Sequence, residues 1–185
     1  MEMLDEVDVE GRPTGRVFER AYVHAHGIRH RTAHVWLVRD RGNGTEILLQ
    51  KRSADKDSFP GCYDISSAGH IPAGADYVES ALRELEEELG ITAVPEDLIP
   101  CGTVRVRNTT DFYGQPFKDD QVSRVYYMRC DLEENEFTLQ PEELESVLWM
   151  PLKECIRRFY DPDFRHCLIP EEMRLLPAAL EEIIS

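Results

Sequence analysis

Apolar positions along this chain change their spacing several times, and the changes mark its elements. Residues 3–20 read as strand, turn and strand, with the turn at Glu10-Gly11-Arg12-Pro13. His24 and His26, two apart, would then share one face of a strand, with His30 and His34 following. The run 31–39, RTAHVWLVR, has the β-branched and aromatic content of a strand, and 46–52, EILLQKR, follows across the hairpin signal Arg41-Gly42-Asn43-Gly44. A short strand over 63–67 leads into a helical period over 76–89, where Val78, Ala81, Leu82, Leu85 and Leu89 fill one arc and Gly90 stands at the expected left-handed stop. Alternation returns over 101–108 and 121–130, then 146–150 makes another strand, with helices near 151–159 and 171–183. Few helices and mostly hairpin-joined strands predict an α+β sandwich rather than a doubly wound sheet. No repeat or low-complexity linker divides the chain, so residues 1–185 are expected to form a single domain.

Composition narrows the class. An apolar share of 42% and a charged share of 31% fit a globular protein. No apolar run approaches the roughly 18 residues of a membrane span, and the acidic start MEMLDEVDVEGR lacks a signal core, so no membrane association is expected. Five cysteines, odd in number and without a CxxC pair, fit reduced thiols in a cytoplasm. The 36 acidic and 21 basic residues give a formal charge of −15, which disfavours long nucleic acid but leaves a small, metal-bridged phosphate ester open.

The candidate chemistry lies in residues 69–91, GHIPAGADYVESALRELEEELGI. Glu84, Glu87 and Glu88 stand at i, i+3 and i+4, within roughly 100° of helix surface. Like charges so placed repel by a few tenths of a kcal/mol per pair, and a hard divalent cation with oxygen ligands would offset this. A solvated acidic face is the plainer alternative. The loop holding Gly69, Pro72 and Gly74, together with the Gly90 stop, favours a built unit.

These residues resemble the box of the Nudix hydrolases, G-x5-E-x7-R-E-U-x-E-E-x-G-U, with U aliphatic. Gly69, Arg83, Glu84, Leu85, Glu87, Glu88, Gly90 and Ile91 match at the required spacing. The first box Glu is replaced by Ala75, with Asp76 beside it. The resemblance implies an α/β/α sandwich around a mixed sheet, with an N-terminal β-hairpin extension over about 1–30, a core over about 31–160 and a C-terminal helix over about 161–185.

Further runs, HRTAHVW (30–36), LLQKRSADKDSFPGCYDISSAGH (48–70) and FTLQPEELESVLWMP (137–151), are similar to the Nudix branch related to isopentenyl diphosphate isomerase. That enzyme needs a Cys just before the Gly-His and a Glu on a later strand. Here those positions hold Ala68 and, in KDDQVSRVYY, Gln121, and an amide is no base at neutral pH. Its metal-binding histidines have counterparts in His24 or His26, His30 and His70, with Asp119 and Gln121 in place of its glutamates.

The resemblance therefore implies a hydrolase of a diphosphate linkage in a nucleoside diphosphate derivative or related small phosphate ester, using Mg²⁺ or Mn²⁺. Isomerase activity and a non-catalytic nucleotide-binding module are the alternatives. Glu87 and Glu88 are the expected main metal ligands, Glu84 ligates or positions a water, and Arg83 orients a carboxylate. Gly69, His70 and Gly74 form the loop, with Lys51 and Arg52 as candidate phosphate contacts. Asp119, Asp120, Glu142 and Glu143 are candidate bases, and His30 belongs to a candidate second site. If Asp76 does not take over from the missing Glu, Arg83 is expected to be less well held. Trp36, Phe59, Tyr63 and Phe112 are candidates for stacking on a base or for core packing. The N-terminal hairpin and C-terminal helices are candidate homodimer surfaces or simple cover.

Overall fold

A computed structural model describes residues 1–42 and 44–184, with side chains through Leu180. The chain runs β1 (Met3–Val7), β2 (Pro13–Glu19), α1 (Arg20–His26), β3 (His30–Asp40), β4 (Thr45–Arg52), β5 (Tyr63–Asp64), β6 (Ser67–His70), α2 (Tyr77–Leu89), β7 (Ile99–Phe112), β8 (Gln115–Arg129), β9 (Leu144–Pro151), α3 (Leu152–Arg158) and α4 (Pro170–Ile184). β1 and β2 form the expected N-terminal hairpin as a two-stranded sheet. The other strands make a mixed seven-stranded sheet in the order β5-β4-β3-β8-β7, with β6 also on β3 and β9 also on β4.

β3 lies at the centre of this sheet. It runs parallel to β8, from His30 opposite Gln121 to Val38 opposite Arg129, and antiparallel to β4 and β6. A strand covered on both faces should be apolar at consecutive positions, and the VWLV run of β3 is buried throughout. Ala33, Val35 and Leu37 pack in one core with Ala81, Leu85 and Leu89 of α2. Trp36 and Val38 pack in a second with Cys155 of α3 and Met173 and Leu176 of α4. Helices on both faces of a mixed sheet give the expected α/β/α sandwich of α+β character. Each fully buried leucine, such as Leu85 or Leu48, contributes roughly 1.5–3 kcal/mol.

Three elements differ from expectation. Residues 20–26 are a helix, α1, so His24 and His26 diverge by roughly 200° instead of sharing a strand face. His24 turns inward, while His26 stacks on Tyr22 with ring centroids 3.9 Å apart. Gly27, left-handed at φ 65°, closes the helix by donating its N–H to Val23 O. The short strand over 63–67 is two strands, one pairing β4 and the other β3. β7 and β8 run well past the expected ends and meet in a two-residue turn, Tyr113-Gly114, with φ 51° and 76°, the paired positive values that suit a tight hairpin. Asn43, in the expected turn before β4, lies outside the described residues.

Candidate active site

A cavity of about 360 Å³ opens where β6, α2, α1 and β8 converge. Its acidic wall comes from α2. Asp76 starts the helix by accepting the Glu79 N–H at 2.9 Å, and Gly90 ends it at φ 70° with its N–H on the Glu86 and Leu85 carbonyls. With both ends fixed, the i, i+3, i+4 spacing delivers Glu84, Glu87 and Glu88 to one cavity. Glu88 is buried, and its Oε2 accepts from the Ser67 hydroxyl at 2.8 Å and the Ala68 N–H at 3.4 Å. Burial, then the charge of Glu84, pushes its carboxyl up to about 8. Burial pushes Glu84 up to about 7, although the Arg83 guanidinium opposes the shift. Arg83 bridges the carboxylates, reaching Glu87 Oε2 at 2.7 Å and Glu84 Oε1 at 2.5 Å, with the His70 carbonyl at 3.4 Å.

Gly69 is a β6 residue, and the space its side chain would fill is taken by the carboxylate of Glu84. It therefore serves the fit of α2 onto the sheet rather than the loop approach expected. Gly74 lies away from the cavity, donating its N–H to Asp5 Oδ2 at 2.9 Å. Ala75 packs against the core, and Asp76 is spent on the helix cap, so neither replaces the missing carboxylate at Arg83. Glu84, Glu87 and the His70 carbonyl hold Arg83 instead.

The opposite wall is made of imidazoles. Nitrogens of His24, His30 and His70 all lie within 4.8 Å of one another. His30 donates Nδ1–H to the Ile28 carbonyl at 3.0 Å, which turns its Nε2 toward Asp119. That Nε2 and Asp119 Oδ1, 3.6 Å apart, are both buried without a hydrogen-bond partner among the described residues. Burial, then the charges of His30 and Arg20, lowers His24 to about 3, and burial holds His70 well below its usual value. Both rings are thus neutral, the form that ligates a cation.

The remaining candidates divide by side. Arg52 lines the cavity and pairs with Asp64 at 3.1 Å, whereas Lys51 points outward to Glu145 at 2.8 Å. Asp119 faces inward, and Asp120 is turned to Arg29 at 2.8 Å. Glu143 lines the cavity in a pair with Lys56, and Glu142 is exposed outside it. Phe59 is at the rim against Phe112, Tyr63 stacks on Phe164, and Trp36 is fully buried. Ala68 and Gln121 both line the cavity. Sequence reasoning missed Ser67, Asp64 and Arg20, and also Glu172 of α4, whose carboxylate meets His34 beneath the cavity.

A carboxylate-bearing helix seated on a glycine of a mixed sheet is the arrangement of a Nudix-type domain. The NUDIX domain family matches residues 28–170. An uncharacterized Nudix hydrolase of Clostridium acetobutylicum is 37% identical over 160 residues, covering 86% of this chain and 74% of that protein. Nudix hydrolase 3 of Arabidopsis thaliana is 39% identical over 155 residues, 83% of this chain but only 20% of the plant protein. A Deinococcus radiodurans crystal structure superposes with a TM-score of 0.71 at 18% identity, over 96% of this chain and 99% of that one. The chain belongs to the Nudix hydrolase family. Among the described residues, no helix is long and apolar enough to cross a membrane.

Proposed function

We propose that this protein is a divalent-metal-dependent hydrolase of a diphosphate linkage, in a nucleoside diphosphate derivative or a related small phosphate ester. The observation that carries this reading is the convergence of Glu84, Glu87 and Glu88 on one cavity, with Glu88 buried and oriented by Ser67. An all-oxygen, partly buried donor set fits Mg²⁺ or Mn²⁺. Glu84, Glu87 and Glu88 would hold the cation, which would supply charge neutralisation for phosphate oxygens and a bound water of lowered pKa. Arg83 keeps Glu84 and Glu87 in place, and Arg52 and Lys56 line the cavity in pairs with Asp64 and Glu143. Asp119 and Glu143 are the candidate bases that line the cavity; the outward placement of Asp120 and Glu142 speaks against them.

A second cation site made by His24, His30, His70 and Asp119 is supported by His30 Nε2 and Asp119 Oδ1, both buried without a hydrogen-bond partner among the described residues. Isomerase activity is disfavoured: Ala68 and Gln121, which both line the cavity, stand where the resemblance calls for a Cys and a Glu, and neither moves a proton. A purely non-catalytic module gives no reason for three converging carboxylates. On this reading residues 1–185 are one catalytic domain. Its five free thiols suit the reducing cytoplasm.

The test is hydrolysis by the purified protein with Mg²⁺ or Mn²⁺, across nucleoside diphosphate sugars, nucleoside triphosphates, dinucleotides and isopentenyl diphosphate. Release of phosphate or nucleotide that vanishes in Glu87→Gln and Glu88→Gln supports the proposal. Isomerisation of isopentenyl diphosphate without phosphate release contradicts it.

A further inference from the structure

The floor of the cavity holds a charged pair that the reading above does not use. Alternation along β3 puts His30, Thr32, His34 and Trp36 on one face. His34 Nδ1 lies 2.6 Å from Glu172 Oε1, and Trp36 Nε1–H donates to Glu172 Oε2 at 3.1 Å. Glu172 sits in the first turn of α4 and is 0% exposed. Both oxygens of a wholly buried carboxylate are therefore bound by two β3 side chains. A carboxylate is costly to bury unless it is paired and hydrogen-bonded, and this one is paired with a histidine at the cavity surface.

The arrangement fixes the histidine as well. The Nδ1–H···Glu172 bond fixes the ring plane, and the same carboxylate favours the imidazolium, which carries its second N–H on Nε2. Nε2 is then the ring's free polar atom, and His34 lines the cavity. Burial opposes a charge on the ring, but Glu172, with Asp64 and Asp119 at longer range, outweighs it and raises the pKa. Of those two cavity carboxylates, Asp64 is paired with Arg52, and Asp119 stands 3.6 Å from His30 Nε2 and 3.9 Å from His24 Nε2. The cavity's other cations are likewise occupied: Arg20 by Glu2, Arg83 by Glu84 and Glu87, and Lys56 by Glu143. Across the sheet, His34 stands opposite Ala68 of β6, whose N–H reaches Glu88 Oε2. A group bridging the acidic wall and His34 need only cross neighbouring strands.

We propose that His34 is a substrate-binding residue whose Nε2–H donates to an anionic oxygen of the diphosphate, and that Glu172 of α4 is its positioning residue. This rests on the diphosphate-hydrolase reading and adds a contact outside the box, supplied through the C-terminal helix. His34 fixes one end of the anion while the acidic wall holds the metal-bound end. That division favours a substrate with two linked phosphates over a monophosphate.

The probe is inorganic pyrophosphate, titrated by calorimetry and by ¹⁵N NMR of histidine-labelled full-length protein, with and without Mn²⁺. Pyrophosphate should shift the His34 Nε2 resonance in the wild-type protein. His34→Gln should weaken pyrophosphate binding roughly 10- to 100-fold, the range of one charge-assisted hydrogen bond, with Mn²⁺ affinity unchanged. Glu172→Gln should lower the pH at which His34 titrates and weaken pyrophosphate in the same direction, which a merely structural role would not do. An unmoved His34 resonance, or unchanged pyrophosphate affinity in His34→Gln, overturns the proposal. The hydrolase reading is judged separately, by whether Glu88→Gln loses Mn²⁺.

Discussion

The carboxylate of Glu84 occupies the space that a side chain on Gly69 would need, so strand β6 and helix α2 fit together only because residue 69 has none. Gly69→Ala must displace Glu84 from the cavity, since the backbone of β6 is pinned to β3 and cannot retreat. Overpacking of this kind costs about 1–3 kcal/mol. The expected result is weaker Mn²⁺ binding, comparable to that of Glu84→Gln, with a modest fall in Tm. Calorimetry on both variants checks it.

The pH dependence of the metal-free protein follows from the same carboxylates. Burial raises Glu84 to about 7 and Glu88 to about 8, from a value of 4.5 when unfolded. The folded state therefore binds more protons than the unfolded chain, and the stability these groups contribute is lost as pH rises through 7 and 8. Below about 6.5, His24 and His70, which the fold keeps neutral, pull the opposite way. In EDTA, Tm should fall between pH 6.5 and 8.5, by an amount on the order of a few kcal/mol in stability. Added Mn²⁺ should restore it at pH 8, with proton release visible as a buffer-dependent binding enthalpy.

The imidazole wall makes a spectroscopic prediction. The imidazoles of His24, His30 and His70, with Asp119, should take up Co²⁺ and give visible d–d absorption. His30→Gln should abolish that band while Glu88→Gln leaves it. A band that follows Glu88 instead would place the ion on the acidic helix alone.

Asp76 is adjacent to the missing box carboxylate, yet its side chain caps α2. Asp76→Ala should therefore lower stability by about 0.5–2 kcal/mol and leave Mn²⁺ affinity nearly unchanged. A large loss of affinity with little loss of stability would show that Asp76 serves the metal site after all.

How much of this was legible in the chain varies by residue. The acidic helix was plain because its caps, apolar stripe and carboxylates all obey one local period. α1 was not, since Ala21, Val23 and Ala25 alternate as in a strand; the helix shows only in the Tyr22–His26 stack and the left-handed Gly27. The far halves of β7 and β8 are polar except for Phe112 and Phe117, too few apolar residues for a hydrophobic alternation to mark them. Adjacent candidates parted because neighbours on a strand face opposite sides: Arg52 enters the cavity and Lys51 does not, and Asp119 enters while Asp120 turns to Arg29. His34 and Glu172 are 138 residues apart, and nothing short of tertiary packing joins them.

The central claim is that the α2 carboxylates hold a catalytic divalent ion. The most direct measurement is the rate of diphosphate-ester hydrolysis by Glu88→Gln, alongside its Mn²⁺ affinity and Tm. Glutamine fills the same space, keeps a partner for Ser67 and cannot take on the negative charge that binds a cation. The account predicts a folded protein with weakened Mn²⁺ binding and a rate lower by roughly 100-fold or more, as several kcal/mol of charge stabilisation is lost. A folded Glu88→Gln protein that hydrolyses at the wild-type rate would contradict it.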